Sequence, residues 1–357
     1  MTVGEPRPRA RAGADASDAD ARGTVRAVET SRAPWTMDPA EMDAYTETLS
    51  FIAMAPLACL TMPQVWKNFI NMTTGDAAAI GAVSWQAYAA GMLGNLLLLS
   101  YFAEKRERAA TGAQVVGVVT SFFLLSQIAW SGNMHNVAPV EMLLTSAFVI
   151  GGSSLSVARY FEYAHGNLGA KAWELYTATL GVVGVLTAPT IISHALAPGL
   201  GWLPTEIMVL ALLLAARAEK LPEKWSECSG WTANVLFMSM PVVQIAQNLQ
   251  NPENLQGLSA LTSVFITMGN ALMLARAIFV KDFVWIVGSA WATYVGGFGV
   301  LATLFLLTNP MTSERYLGEF EFIAITVTLI LYTAIVIGGQ LQARLAQGAA
   351  SESPDGE

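Results

Sequence analysis

Two cysteines and three histidines are all that this 357-residue chain offers for redox or soft-metal chemistry. Cys59 and Cys228 lie far apart and form no CxxC, so no disulfide framework or redox motif is built from them. His135, His165 and His194 show no zinc-ligand spacing and belong to no Ser/His/Asp set. The expectation is therefore a protein that is not an enzyme, with no metal and no cofactor. Charge is scarce as well: 13% of residues are charged, against about 25% in soluble domains. Much of the net charge of −8 sits in the two tails. No basic surface exists for a nucleic-acid partner.

What fills the chain is apolar: 54% of residues are hydrophobic. Windows such as Val115–Trp130, Val140–Val157 and Asn234–Asn251 hold at most one charge, Glu141. A bilayer core needs about 20 such residues per helix. The chain reads as an all-α membrane protein whose main partner is the lipid bilayer. Its apolar runs predict about ten transmembrane helices, near 49–70, 78–102, 112–131, 138–160, 172–195, 203–217, 229–250, 257–280, 283–308 and 319–341. Nine is the alternative count, because the sixth run is the shortest.

The cations fit ten spans. Lys105, Arg106, Arg108, Arg159, Lys171, Arg217, Lys220, Lys224, Arg276, Lys281 and Arg344 fall on one side, joined by the six arginines of the N-terminal tail. Only Lys67 and Arg315 fall on the other. Both termini are then placed on the cytosolic or equivalent side. Residues 1–48 read as a disordered tail. A transit peptide is the alternative there, and Asp15, Asp18, Asp20 and Glu29 count against it. Residues 342–357 read as a solvated tail.

Two stretches match each other. Met62-Pro63-Gln64-Val65-Trp66-Lys67-Asn68 aligns with Met240-Pro241-Val242-Val243-Gln244-Ile245-Ala246-Gln247-Asn248. Gln64 pairs with Gln244 and Asn68 with Asn248, while the proline is displaced by two positions. Farther on, Gly94-Asn95 aligns with Gly269-Asn270, each Asn lying 11 residues after a serine, Ser84 or Ser259. The organisation read from this is a first three-helix repeat over 49–131, connecting helices over 138–217, a second repeat over 229–308 and a C-terminal helix over 319–341. Both copies start on the same side, so they are parallel repeats. Carriers place their substrate at such a repeat interface near mid-membrane.

The polar residues suit a neutral solute. Asn95 and Asn270 are candidates to bind hydroxyls, with interhelical hydrogen bonding as the competing role. Trp85 and Trp291 offer flat apolar platforms, and Asn234 and Tyr294 are further candidates. Interfacial anchoring is the competing role for tryptophan. Proline in a membrane helix frees a carbonyl, so Pro63, Pro189 and Pro241 are candidate hinges. Gln64, Asn68, Gln244 and Asn248 are candidate gate or packing residues. No carboxylate sits mid-span, as ion coupling would usually require. Facilitated diffusion is expected.

The string Gly91-Met92-Leu93-Gly94-Asn95-Leu96 through Glu104-Lys105-Arg106-Glu107 resembles the maltose excess family of plastid-envelope transporters. So do Ser229-Gly230-Trp231-Thr232-Ala233, Asn251-Pro252-Glu253-Asn254-Leu255-Gln256-Gly257-Leu258-Ser259, Gly269-Asn270-Ala271-Leu272-Met273 and Gly288-Ser289-Ala290-Trp291-Ala292-Thr293. The resemblance covers about residues 50–305 and extends faintly to the Pro/Gln-loop (PQ-loop) superfamily of sugar facilitators. It implies movement of maltose, and of glucose as a further substrate, across a plastid inner envelope by alternating access. Thr190 departs from the pattern, because a Gln is expected after Pro189. The competing readings are a carrier of another small solute such as an amino acid, and a non-transporting receptor or accessory protein of glycan assembly.

Overall fold

The computed structural model describes residues 37–75, 80, 85–132, 134, 139–164, 166–196, 203–220, 225–250, 252, 255, 259–310 and 312–342. The described residues form helices: α1 Pro39–Cys59, α2 Met62–Thr74, α3 Trp85–Lys105, α4 Arg108–Trp130, α5 Pro139–Tyr160, α6 Asn167–Leu196, α7 Leu203–Arg217, α8 Trp225–Gln250, α9 Ala260–Val280, α10 Phe283–Trp291, α11 Phe298–Leu306 and α12 Glu319–Tyr332. A π-helical stretch, Ala292–Gly297, joins α10 to α11, and another, Thr333–Ile337, extends α12.

Two sequence expectations change at the N-terminus. The tail predicted over 1–48 gives way to helix from Pro39 onward. Asp38 caps the helix by accepting from the backbone N–H of Ala40 and Glu41, and Glu41 returns the bond to the Asp38 N–H at 3.2 Å. This capping box satisfies N–H groups that the first turn cannot. The first predicted helix, 49–70, is also not continuous. It breaks at Leu60 and Thr61 between α1 and α2, because Pro63 has no N–H to donate and its ring crowds the carbonyl four residues back. Residues 1–36, 343–357 and Ser84 lie outside the described residues.

Among the described residues, six helical segments are long and apolar enough to cross a membrane: Pro39–Thr74, Arg108–Trp130, Val140–Tyr160, Ala260–Val280, Phe283–Leu306 and Glu319–Gln342. The sequence count was ten. Of the four expected spans not among these, α6, Asn167–Leu196, includes side chains outside the described residues, and the other three fall short for physical reasons. α7 has 15 residues, below the roughly 20 that a bilayer core asks for. α3 and α8 dilute their apolar runs with Gly, Asn and Gln. The outer faces are greasy: Leu210, Leu213 and Leu214 of α7, and Phe320, Ile323 and Ile330 of α12, are exposed. Such faces suit lipid rather than water.

The two predicted repeats interlock. α1 lies along α9, and α3 lies along α8, so the first helix of each packs on the middle helix of the other. Glycine sets both approaches. A Cβ on Gly94 would sit 2.7 Å from the Phe237 ring, and one on Gly269 would sit 2.7 Å from Leu57. Leu57 and Phe237 are themselves matched positions, seven residues before Gln64 and Gln244. Between α3 and α4 the chain turns through Arg106, and between α9 and α10 through Lys281; both adopt φ 59.

Candidate functional site

Gln64 and Gln244 build the same local structure on different backbones. Gln64 Nε2 donates to Asn68 Oδ1 at 2.8 Å, and Gln244 Nε2 donates to Asn248 Oδ1 at 2.8 Å. A spacing of four brings both side chains onto one helix face. Each Asn then reaches the third helix of its own repeat. Asn68 Nδ2 donates to Gln127 Oε1 at 3.3 Å, and Asn248 Nδ2 donates to Thr303 Oγ1 at 2.7 Å. Both asparagines are buried, so the chain of bonds offsets the cost of placing amides away from water. Gln127 and Thr303 were missed in the sequence. The offset of 175 residues shared by Asn95 and Asn270 would place Gln127 against Ala302; Thr303 lies one residue further on, beyond the π-helical stretch Ala292–Gly297, so neither side-chain type nor offset shows the match in the sequence.

Asn95 and Asn270 also correspond in geometry. Each is half-buried on a middle helix and donates Nδ2 to the carbonyl four residues back: Gly91 at 2.9 Å and Ile266 at 3.0 Å. An amide has two N–H donors and a carbonyl acceptor, so each keeps capacity beyond this one bond. Gly117 of α4 lets the Asn95 amide approach closely, since a Cβ there would lie 2.5 Å from Oδ1. Each Asn follows the glycine that seats the other repeat's first helix.

The remaining candidates divide. Asn234 is buried and donates to the Val284 carbonyl at 2.6 Å, where it pins the start of α10. Trp291 Nε1 donates to the Met238 carbonyl at 3.0 Å, three residues before Pro241. Thr205 does the same for Pro189, donating to the Leu186 carbonyl at 3.0 Å. Side-chain donors thus reach the carbonyl three residues before Pro241 and before Pro189, next to the Phe237 and Val185 carbonyls whose own bonds those prolines remove. Pro241 stays inside a continuous α8, while Pro63 is exposed in the first turn of α2. Tyr294 joins the two π-helical stretches through a 2.8 Å hydrogen bond between its hydroxyl and that of Thr333. Trp85 is partly buried and packs at the edge of the largest core, as does Tyr88 one turn on. Among the described residues no cluster of His, Cys, Asp and Glu would hold a metal.

Polar contacts gather at the Lys/Arg-rich end. Arg159 pairs with both Glu104 oxygens at 3.2 Å, and Trp173 Nε1 donates to Glu104 Oε2 at 2.8 Å. Arg106 pairs with Glu162. Tyr101 donates to Asp282 at 2.8 Å, and Arg276 contacts Asp43 at 2.5 Å and Glu107 at 3.4 Å.

Interlocked apolar helices, lipid-facing leucines and buried amide pairs define the class: a multi-pass α-helical membrane protein. The comparisons with known proteins are specific within it. Residues 37–165 match the maltose excess protein 1 N-terminal domain. The chain is 35% identical over 310 residues to maltose excess protein 1, chloroplastic, of Arabidopsis thaliana, covering 83% of this chain and 70% of that one. It is 33% identical over 329 residues to maltose excess protein 1-like, chloroplastic, of Oryza sativa subsp. japonica, covering 88% and 78%. The chain belongs to the maltose excess protein family. No solved structure matches it.

Proposed function

We propose that the chain is a carrier that moves maltose, with glucose as a further substrate, across a plastid inner envelope by facilitated diffusion. Its path runs between two parallel three-helix repeats that rock in alternating access, with both termini on the Lys/Arg-rich side. The observation that carries this reading is the matched placement of Asn95 and Asn270. Each is half-buried and held by its own helix, with hydrogen-bonding capacity left for a hydroxyl. A neutral sugar needs such groups and no fixed charge. The names of the two plant relatives supply maltose and the plastid. The repeat reading is supported by the shared Gln–Asn bonds and the reciprocal glycine contacts.

The test is counterflow of radiolabelled maltose in proteoliposomes holding the purified chain. Accumulation against preloaded unlabelled maltose, blocked by excess glucose, is the expected outcome. Folded protein that moves neither sugar would contradict the reading. That result would favour an accessory role in glycan assembly or a carrier of another solute.

A further inference from the structure

We propose that Tyr101, Glu107, Arg276 and Asp282, with Asp43 of α1, form a latch that closes the Lys/Arg-rich end of the path between the repeats. The inference rests on the two-repeat carrier reading and assigns its gate at one end.

The four residues are two matched pairs. Tyr101 lies six residues after Asn95, and Arg276 six after Asn270. Six helical residues place each about 9 Å along the helix from its asparagine. Six residues further on come Glu107 and Asp282, each just past a left-handed residue, Arg106 or Lys281, and each beginning the next helix. Pairing is crossed. Tyr101 of the first repeat donates its hydroxyl to both Asp282 oxygens at 2.8 Å. Arg276 of the second donates Nε to Glu107 at 3.4 Å. The same two positions therefore make the same contact twice, once in each direction across the interface. By contrast, the Gln–Asn bonds toward the other end stay inside one repeat.

Arg276 is the bolt. Its side chain is 13% exposed and faces two carboxylates, Glu107 and Asp43, while Nη1 also donates to Thr46 at 3.3 Å. Removing one guanidinium leaves two carboxylates facing each other, one of them largely buried, and unpaired buried charge is strongly destabilising. Neutralising Glu107 as well removes the repulsion. Beneath the latch lies an apolar plug of Ala53, Phe102, Met273, Ala277 and Trp285, in which the Phe102 and Trp285 rings meet edge-on at 5.1 Å. Met273 is 3% exposed, so water reaches it only when this end parts.

Met273→Cys in a chain carrying Cys59→Ser and Cys228→Ser reports that opening through its rate of reaction with a water-soluble maleimide, with thermal melting followed in parallel. Arg276→Gln is expected to raise the rate about tenfold, and adding Glu107→Gln to bring it back to within about threefold of the starting chain. Tyr101→Phe, which removes only the hydroxyl bond to Asp282, is expected to raise the rate about threefold. An unchanged rate in a folded Arg276→Gln chain overturns the latch, as does a double variant that reacts as fast as the single one. Should Arg276→Gln not fold, an unchanged rate in Tyr101→Phe overturns it. The readout needs no sugar. A chain that moves no maltose yet reacts faster when unlatched loses the proposed substrate and keeps the gate. A chain that moves maltose, with a labelling rate indifferent to these changes, keeps the substrate and loses the gate.

Discussion

The two predicted repeats carry the same hydrogen bonds on unlike backbones. The first helix of the first copy is broken between Cys59 and Met62, and its third helix, α4, is regular from Arg108 to Trp130. The second copy reverses this. Its first helix, α8, runs unbroken through Pro241, and its third is interrupted by the π-helical stretch Ala292–Gly297. A proline one residue before Gln64 ends one helix and opens another. A proline three residues before Gln244 is carried by a side-chain donor, Trp291. What the copies share is the spacing of Gln and Asn along a helix and the partner on the third helix. The backbone irregularity falls on the first helix in one copy and on the third helix in the other.

The comparison breaks most visibly if one buried amide stabilises its copy and the other does not. Asn68→Ala and Asn248→Ala each remove the middle of a bonded chain, leaving Gln127 only its bond to the Val65 carbonyl and Thr303 only its bond to the Val300 carbonyl. Each is expected to cost about 1–2 kcal/mol. The larger loss is expected for Asn248, whose bond to Thr303 is 2.7 Å against 3.3 Å for Asn68 to Gln127. Thermal unfolding in detergent measures both. A variant that melts with the parent chain would end the equivalence of the two copies.

Trp291→Phe tests the brace in the second copy. Losing the indole donor is expected to cost about 1 kcal/mol. In a Pro241→Ala chain the same change should cost little, because without the ring's crowding the helix straightens and the Val242 N–H serves the Met238 carbonyl. Additive losses in the double variant would separate Trp291 from the kink.

The smallest expected effect concerns the latch, whose two halves differ in charge. Glu107 lies in the turn between α3 and α4. Burial pushes its carboxyl above the usual range, Arg276 pulls it back, and Asp43 and Glu47 push it up again. In Arg276→Gln the restraint is gone and the carboxyl binds its proton more tightly still. Lowering the pH should then neutralise Glu107 and shrink, about threefold, the ratio of this chain's labelling rate to the parent chain's at the same pH, a ratio in which the pH dependence of the thiol itself cancels. The Tyr101→Phe chain, which keeps Arg276, should hold its ratio to the parent chain. An acid-insensitive Arg276→Gln chain would mean that Glu107 does not supply the repulsion.

Much of the fold was legible because apolar runs and helix ends are local. The expected helix near 138–160 is α5, Pro139–Tyr160, and that near 203–217 is α7. The start of α1 was missed although Asp38-Pro39-Ala40-Glu41 spells a capping box, because the charges around it looked like tail. The break at Thr61 was half visible: Pro63 was read as a hinge, but whether a proline kinks or divides a helix depends on what packs beside it. The Gln–Asn pairs were legible through their spacing of four. Arg276 and Glu107 were not, since they lie 169 residues apart and meet only through the packing of one repeat on the other. Asn234, a further candidate for the sugar path, gives one amide bond to the Val284 carbonyl. Periodicity alone does not tell a buried structural amide from one that lines a path.

The central claim is that each repeat contributes one asparagine to a shared sugar path. Maltose counterflow by Asn95→Ala and Asn270→Ala, measured side by side with thermal melting, tests it most directly. The account predicts that both lose flux by at least about tenfold, roughly 1.4 kcal/mol of lost interaction, while melting stays close to that of the parent chain. Parental flux in either variant would contradict it and return that asparagine to a packing role.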